Sequence, residues 1–378
     1  MGEDAIPEAD RIEDHPHPRE TLRIFGQQQA EARFLDAWRG GRLHHAWLLR
    51  GPEGIGKATL AYRIARALIA QPAEGGLFGG PDPQDFSLSV PQDCPVQTRI
   101  EAQAEPRLFV LRRQWDPDRK RLQTQISVDH VRTMRRFLSL SAADGGWRAV
   151  IVDPADEMNR ASANALLKFL EEPPAQTIFL LIAHAPARLL PTIRSRCRTL
   201  DLAPLSAQDL GHALHAAGAE VPHGSEQALA ELSGGSAGRA LRLVAEDGLA
   251  VYGRLVQIMG AGQSVDRQGM MTLAEHCGGR DAAPRYRMVL DLLTLLLSRL
   301  ARAAATGQSP PEAAKGEAAL ISAAAQMPAQ APLWAETLAA ITQTTRHAVA
   351  VNLDAQQCVI DTMLKIDATL RRARALAA

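Results

Sequence analysis

Cysteine is scarce in this chain: Cys94, Cys197, Cys277 and Cys358 lie far apart, with no C-x-x-C pair. That spacing argues against a disulfide framework or a zinc ribbon and points to reduced thiols. Net charge is missing as well, because 42 Lys plus Arg balance 42 Asp plus Glu. Global charge therefore supplies no pull toward nucleic acid or an anionic membrane surface, and any DNA contact would be local or made through partners. The most apolar run, Val289–Leu300, is too short to span a bilayer and is closed by Arg299 and Arg302. The acidic, Pro-rich start, MGEDAIPEADRIEDHPHPRE, lacks the basic and apolar regions of a signal peptide. These absences predict a soluble, cytoplasmic protein in which residues 1–20 form a disordered lead-in.

What is present is a change of pattern along 378 residues, enough for two or three domains. Gln27 to about Arg39 has helical spacing, and Ala46–Arg50 (AWLLR) reads as a short apolar strand. A Gly-rich turn and an apolar helix to about Ala70 follow, the opening of a parallel α/β sheet. Further strands are predicted at Arg107–Leu111, Arg148–Val152, Thr177–Ala183 and Arg198–Leu202, with helices at Ser127–Ser139 and Ser162–Glu171. Their continuous apolar character fits parallel strands covered on both faces. Residues 71–106, rich in Gly and Pro, read as an irregular insertion. After Pro204 the pattern is helical only, because Ala and Leu dominate and β-branched residues are sparse. Ser206, with Asp209 three positions on, is a plausible N-cap. A small helical unit over 205–247 precedes a helical bundle over 248–378, with helices at Tyr286–Ala303 and near Leu353–Arg374.

Three motifs carry chemistry. Gly51-Pro-Glu-Gly54-Ile-Gly56-Lys57 fits G-x-x-x-x-G-K, a loop whose backbone N–H groups close around phosphate oxygens while the lysine adds charge. The alternative is a strand–helix turn without a ligand, because Ala58 stands where Ser or Thr should hold Mg²⁺. Thr59 comes one position late and faces another side of the helix. The second motif is Asp153 at the end of the strand AVIVD, a candidate metal-site residue or simply the start of a turn. Pro154 follows it and cannot act as a base, while Asp156 and Glu157 are displaced by two or three positions. A misplacement of ~1 Å can lower a rate ~10²-fold, so self-catalysed hydrolysis is not expected. The third is Thr192-Ile-Arg194-Ser195-Arg196-Cys197 with Arg198, either a solvated charge run or a functional one.

The blocks VIVDPADEMNRASANALLKFLEEPP and IFLLIAHAPARLLPTIRSRC closely resemble the clamp-loader branch of the AAA+ ATPases, as found in bacterial DNA polymerase III. The resemblance covers roughly residues 20–245 by motif and the remainder by layout. It implies an AAA+ P-loop domain with a parallel sheet over 21–204, a helical lid over 205–247 and an all-α collar over 248–378 for oligomerisation. It further implies a pentamer in which an arginine of one subunit completes its neighbour's ATP site, and the matching residue here is Arg196. Arg239, in GGSAGRALRL, falls at the position of a second sensor arginine aimed at a γ-phosphate over Lys57. Ala183–His184 lacks the small polar first sensor of active relatives. Many relatives bind zinc with four cysteines, but the 71–106 segment holds Cys94 alone, so no zinc is expected.

The resulting expectation is a non-hydrolysing stator subunit of a polymerase holoenzyme, a nucleotidyltransferase complex, with Arg196 acting in trans. Gly51, Gly54, Gly56, Lys57, Thr59, Asp153 and Arg239 would form a frame in which ATP or ADP binds weakly or not at all. The implied partners are clamp-loader ATPase subunits of the tau/gamma type, the clamp-opening delta subunit, and the sliding clamp and primed DNA through the complex. Two alternatives are an active motor subunit, against which Ala58 and Pro154 argue, and a free-standing DNA-binding protein using Arg112–Arg113, Arg119–Arg121 and Arg132–Arg136. Neutral charge and the lack of interleaved aromatics weaken the last.

Overall fold

The apolar segments of the first half form one sheet, as their composition requires. In chain order the elements are α1 (Gln28–Arg39), β1 (Ala46–Arg50), α2 (Lys57–Ile69), α3 (Pro95–Glu101) and β2 (Leu108–Leu111). A short antiparallel pair, β3 (Trp115–Asp116) and β4 (Arg121–Leu122), is followed by α4 (Val128–Ser139), β5 (Arg148–Val152) and α5 (Arg160–Glu171). Next come β6 (Thr177–Ala183), α6 (Pro191–Arg194), β7 (Arg198–Asp201) and α7 (Ala207–Ala216). In the computed structural model, which describes residues 7–71, 83–91, 93–139, 146–260, 262, 264–279, 282–350 and 354–377, the sheet is parallel in the order β2–β5–β6–β1–β7.

Successive side chains of a strand point to opposite faces, and the core splits accordingly. Trp47, Leu49, Ile151 and Leu180 face α1 and α2, while Leu48, Val152, Phe179 and Leu181 face α4 and α5. Each fully buried aliphatic side chain contributes roughly 1.5–3 kcal/mol of transfer free energy. This explains why β6 reads as an unbroken apolar run, since every one of its residues is buried. The expected α/β class with a parallel sheet and an all-helical second half is what the chain adopts.

Two expectations are corrected. Part of the 71–106 insertion is regular: α3 starts on Pro95, which supplies a preset helical φ, and buries Val96 and Ile100. Residues 72–82 and 92 of that insertion lie outside the described residues. The N-terminal segment is also placed, from residue 7 onward, whereas 1–6 lie outside. Its charges are paired: Glu8 meets Arg11 at 3.1 Å, Arg19 at 2.9 Å and Arg112 at 2.6 Å, and Asp10 meets Arg112 at 2.6 Å. His17 is fully buried, 3.1 Å from Asp10 and edge-on to Tyr62. Although burial alone would raise it, Arg19 and Arg112 hold the Glu8 carboxyl well below the usual carboxylate range. Tertiary ion pairs thus order a stretch whose composition reads as disordered.

The chain divides into two units, Met1–Gly218 with Ser236–Gly238, and Ala219–Gly235 with Arg239–Ala378. The described helices from 219 onward are α8 (Glu226–Ser233), α9 (Ala237–Ala245), α10 (Gly248–Gly260), α11 (Arg267–Glu275), α12 (Ala283–Thr306), α13 (Glu317–Ala324), α14 (Ala331–Ala350) and α15 (Ala355–Ala377). Gly307, at φ 67°, ends α12 in the left-handed conformation that suits glycine at a helix terminus. Trp334 is fully buried between helices and donates its indole N–H to the Ala324 carbonyl at 2.8 Å. Among the described residues no helix is long and apolar enough to cross a membrane.

Candidate functional site

Ligands of open parallel sheets sit beyond the carboxyl ends of the strands. Here β1 runs into the Gly51–Lys57 loop, β5 ends on Asp153, and β6 ends on Ala183–His184. The loop has the backbone a phosphate cradle needs. Gly51 has φ 145°, and a Cβ there would lie 2.5 Å from Ile55 Cδ1 and 2.7 Å from the Leu202 carbonyl. At Gly54, φ 77°, a Cβ would strike Ser236 Oγ and come within 3.0 Å of the Gly238 backbone. Those neighbours grip the loop directly: the Gly238 N–H donates to the Gly54 carbonyl at 3.0 Å, and Ser236 Oγ donates to the Glu53 carbonyl at 2.8 Å. Buried Gln27 ties the other side, donating to the carbonyls of Ile55 at 3.1 Å and Ala203 at 2.8 Å. No motif gave Gln27, Ser236 or Gly238 a bracing role at the loop, which the fold assigns them.

Lys57 turns back on this loop and donates to the Gly51 carbonyl at 2.7 Å and to the Pro52 carbonyl. Burial lowers its ammonium to about 8, against the opposing pull of Asp153, Glu53 and Asp156. Ala58 packs its methyl against the sheet core, and Thr59 is half-buried one step further around α2. Asp153 is buried, and its carboxyl is pushed up to about 7 by burial and by Asp10, with Lys57 opposing. Ala58 has no hydroxyl, so Asp153 would lack its usual partner in holding a hard cation. The residues present therefore do not fit a magnesium ion held in the usual way.

The two displaced carboxylates are already engaged. Asp156 accepts the backbone N–H of His184 at 2.9 Å and of Ala185 at 3.2 Å, stapling the end of β6. Glu157 pairs with Arg113 at 2.6 Å. Neither is poised as a general base, and Pro154 is buried between them and the strand. Burial and Lys57 hold the His184 imidazole below its ordinary value, with Asp156 and Glu53 opposing. Arg239 begins the Arg239–Ala378 part of the second unit, near Asp291, whose carboxyl is raised by burial although Arg239, Arg242 and Arg287 draw it down.

Asp153 gives a testable consequence. Its folded value of about 7 lies above the ordinary 3.8, so its contribution to stability is complete below 3.8 and is lost as pH rises through 7. Asp153→Asn should raise stability at pH ~8 by on the order of 1–4 kcal/mol, toward the lower end because Lys57 loses an attractive partner. The gain should vanish near pH ~3, below the ordinary carboxylate value, where Asp and Asn are both neutral in the folded and the unfolded chain. Thermal melts at the two pH values check this, and an equal gain at both would rule out the ionisation account.

The three alternating arginines have different fates. Arg194 is exposed, and Arg198 lies with its guanidinium 5.3 Å from the Trp47 ring. Arg196 is held at the surface: one terminal nitrogen pairs with Glu171 at 2.7 Å and the other donates to the Thr192 carbonyl at 3.0 Å. Its flanking residues anchor it. Ser195 Oγ donates to the same carbonyl at 3.1 Å, and Cys197 packs into the core beneath α5, where burial pushes its thiol up to about 12. Ser-Arg-Cys is thus a surface guanidinium flanked by an exposed hydroxyl bonded to its own turn and a thiol packed on the core.

Residues 26–206 match the family described as DNA polymerase III, delta subunit. The chain is 40% identical over 225 residues to DNA polymerase III subunit delta' of Pseudomonas aeruginosa, covering 58% of this chain and 61% of that one. It is 35% identical over 217 residues to the protein of the same name from Escherichia coli, covering 57% and 59%. Against the Yersinia pestis subunit delta' it is 31% identical over 257 residues, covering 67% of this chain and 70% of that one. The matched stretch spans about three fifths of the first two relatives. Loop, strand ends and the Ser-Arg-Cys turn all lie within residues 26–206, and the chain belongs to the DNA polymerase III delta' family.

Proposed function

We propose that this chain is the stator subunit of a DNA polymerase III clamp loader, a subunit that does not hydrolyse ATP itself. It docks beside an ATPase subunit of the tau/gamma type and the clamp-opening delta subunit, and presents Arg196 to the neighbour's nucleotide. Through the complex it helps place the sliding clamp on primed DNA. The observation that carries this reading is the contrast between two sites. At the chain's own loop Asp156 and Glu157 are committed elsewhere and Ala58 offers no metal ligand, whereas Arg196 is anchored on both flanks and open to a partner.

Gly51, Gly54, Gly56, Lys57, Thr59 and Asp153 form the inherited nucleotide frame. ATP or ADP binds there weakly or not at all, because Lys57 must first give up two loop carbonyls. The test is ATP turnover by the isolated chain and by the chain mixed with its partner subunits. The expected result is none from the isolated chain and clamp loading only when it is included in the mixture. Substantial turnover by the isolated chain would overturn the stator reading in favour of a motor subunit.

A further inference from the structure

Glu171 closes the last turn of α5, 25 positions before Arg196 in the numbering, and the fold brings the two together. Its carboxylate takes one terminal nitrogen of Arg196 at 2.7 Å while the Thr192 carbonyl takes the other at 3.0 Å. Side-chain exposure of 36% for Arg196 and 48% for Glu171 means that the pair adds little to stability. A carboxylate at the last residue of α5 also faces the negative end of the helix dipole, a place that favours cations. Neither global stability nor helix preference accounts for an acid there. Orientation of the guanidinium does.

We infer that Glu171 is a positioning residue for Arg196: together with the Thr192 carbonyl it holds the guanidinium in one orientation before the neighbour's triphosphate arrives. The inference rests on the reading of Arg196 as an arginine supplied in trans. A free arginine samples many rotamers, and a reacting geometry tolerates little error. With two acceptors each taking one N–H, the fork keeps its other N–H donors for phosphoryl oxygens. The chain holds the fork from the side of α5 and α6, so the neighbour meets a preset donor array.

The experiment compares Glu171→Ala, Glu171→Gln, Arg196→Ala and the double variant Glu171→Ala/Arg196→Ala in the reconstituted complex with clamp and primed DNA. Turnover of ATP is measured over a range of ATP concentrations, and far-UV circular dichroism of each isolated chain confirms folding. The expected result is a ~10-fold fall in kcat for Glu171→Ala with KM little changed. Glu171→Gln, which keeps an acceptor oxygen on the same stem, should retain most of the rate. In the Arg196→Ala background, Glu171→Ala should add nothing. If Arg196→Ala lowers turnover but Glu171→Ala leaves it unchanged or raises it, positioning by Glu171 is overturned while the trans role of Arg196 stands. Positioning is likewise overturned if Glu171→Ala lowers turnover equally with and without Arg196, which marks a general structural effect. If Arg196→Ala itself has no effect, the trans reading fails and this inference fails with it.

Discussion

Replacing Arg196 with Ala should leave the complex assembled and slow ATP hydrolysis at the neighbouring subunit's site by about 10³-fold, the lower end of what trans arginines supply in other NTPases. The transferring phosphoryl group spreads charge over its equatorial oxygens, and a planar guanidinium can bond two of them while neutralising charge. Arg196→Lys should recover little, because a point charge on a flexible stem lacks the fork and would not reproduce the paired contacts to Glu171 and Thr192. The cleanest measurement uses a complex in which the adjacent ATPase subunit is the one competent for hydrolysis, so that other sites do not mask the loss. Gel filtration should show unchanged assembly, since Arg196 is half-exposed and its anchors Ser195 and Cys197 stay in place. Turnover equal to that of the unaltered complex would remove Arg196 from the chemistry.

In the helical second unit, Glu317→Ala should destabilise the fold by about 3–5 kcal/mol. Glu317 is fully buried and accepts from the Tyr252 hydroxyl at 2.7 Å, Arg299 Nε at 2.6 Å and the Ala313 N–H at 2.8 Å. Arg299 reaches Glu231 at 3.2 Å and the Pro311 carbonyl as well, so this cluster joins α8, α10, α12 and α13. Burial lowers the Arg299 guanidinium, but its hydrogen bonds to Glu317 and Glu231, together with the charges of Tyr252 and Glu317, raise it above its ordinary value, while burial and Glu317 push the Tyr252 hydroxyl up. Removing the carboxylate leaves a buried guanidinium whose main counter-charge is gone, and that uncompensated charge dominates the loss. The double replacement Glu317→Leu with Arg299→Met should cost markedly less than the sum of the single changes, because neither charge is then left alone. Chemical denaturation followed by far-UV circular dichroism reads both effects. Additive losses would mean that the two side chains act separately.

Particular residues show where sequence reading succeeds and where it stops. The strands were legible because a buried parallel strand must be apolar on both faces, as Thr177–Ala183 is. The helix cap at Ser206 was legible too, since its hydroxyl accepts the Asp209 N–H three residues away, at 3.1 Å. The helix α3 was hidden by its shortness and by the prolines around it, and β3 and β4 are too short to carry a period. The N-terminal segment misled because its charges look solvated until Arg112, about a hundred positions on, meets Glu8 and Asp10 at 2.6 Å.

The amino-acid sequence by itself determined the sheet, the phosphate-loop backbone and the two losses at Ala58 and Pro154. Each depends on residue type at short range: apolar runs, glycine φ freedom, a missing hydroxyl, a missing carboxylate. Tertiary structure alone decided that Lys57 bonds its own loop, that Asp156 staples β6, that Gln27, Ser236 and Gly238 brace the loop, and that Glu171 meets Arg196. Apart from Lys57, whose partners lie five and six residues back, these are contacts between polar groups far apart in the chain. Nothing in a local pattern encodes them, because a hydrogen bond or ion pair acts over a few ångströms and only the packed helices and sheet bring its partners that close.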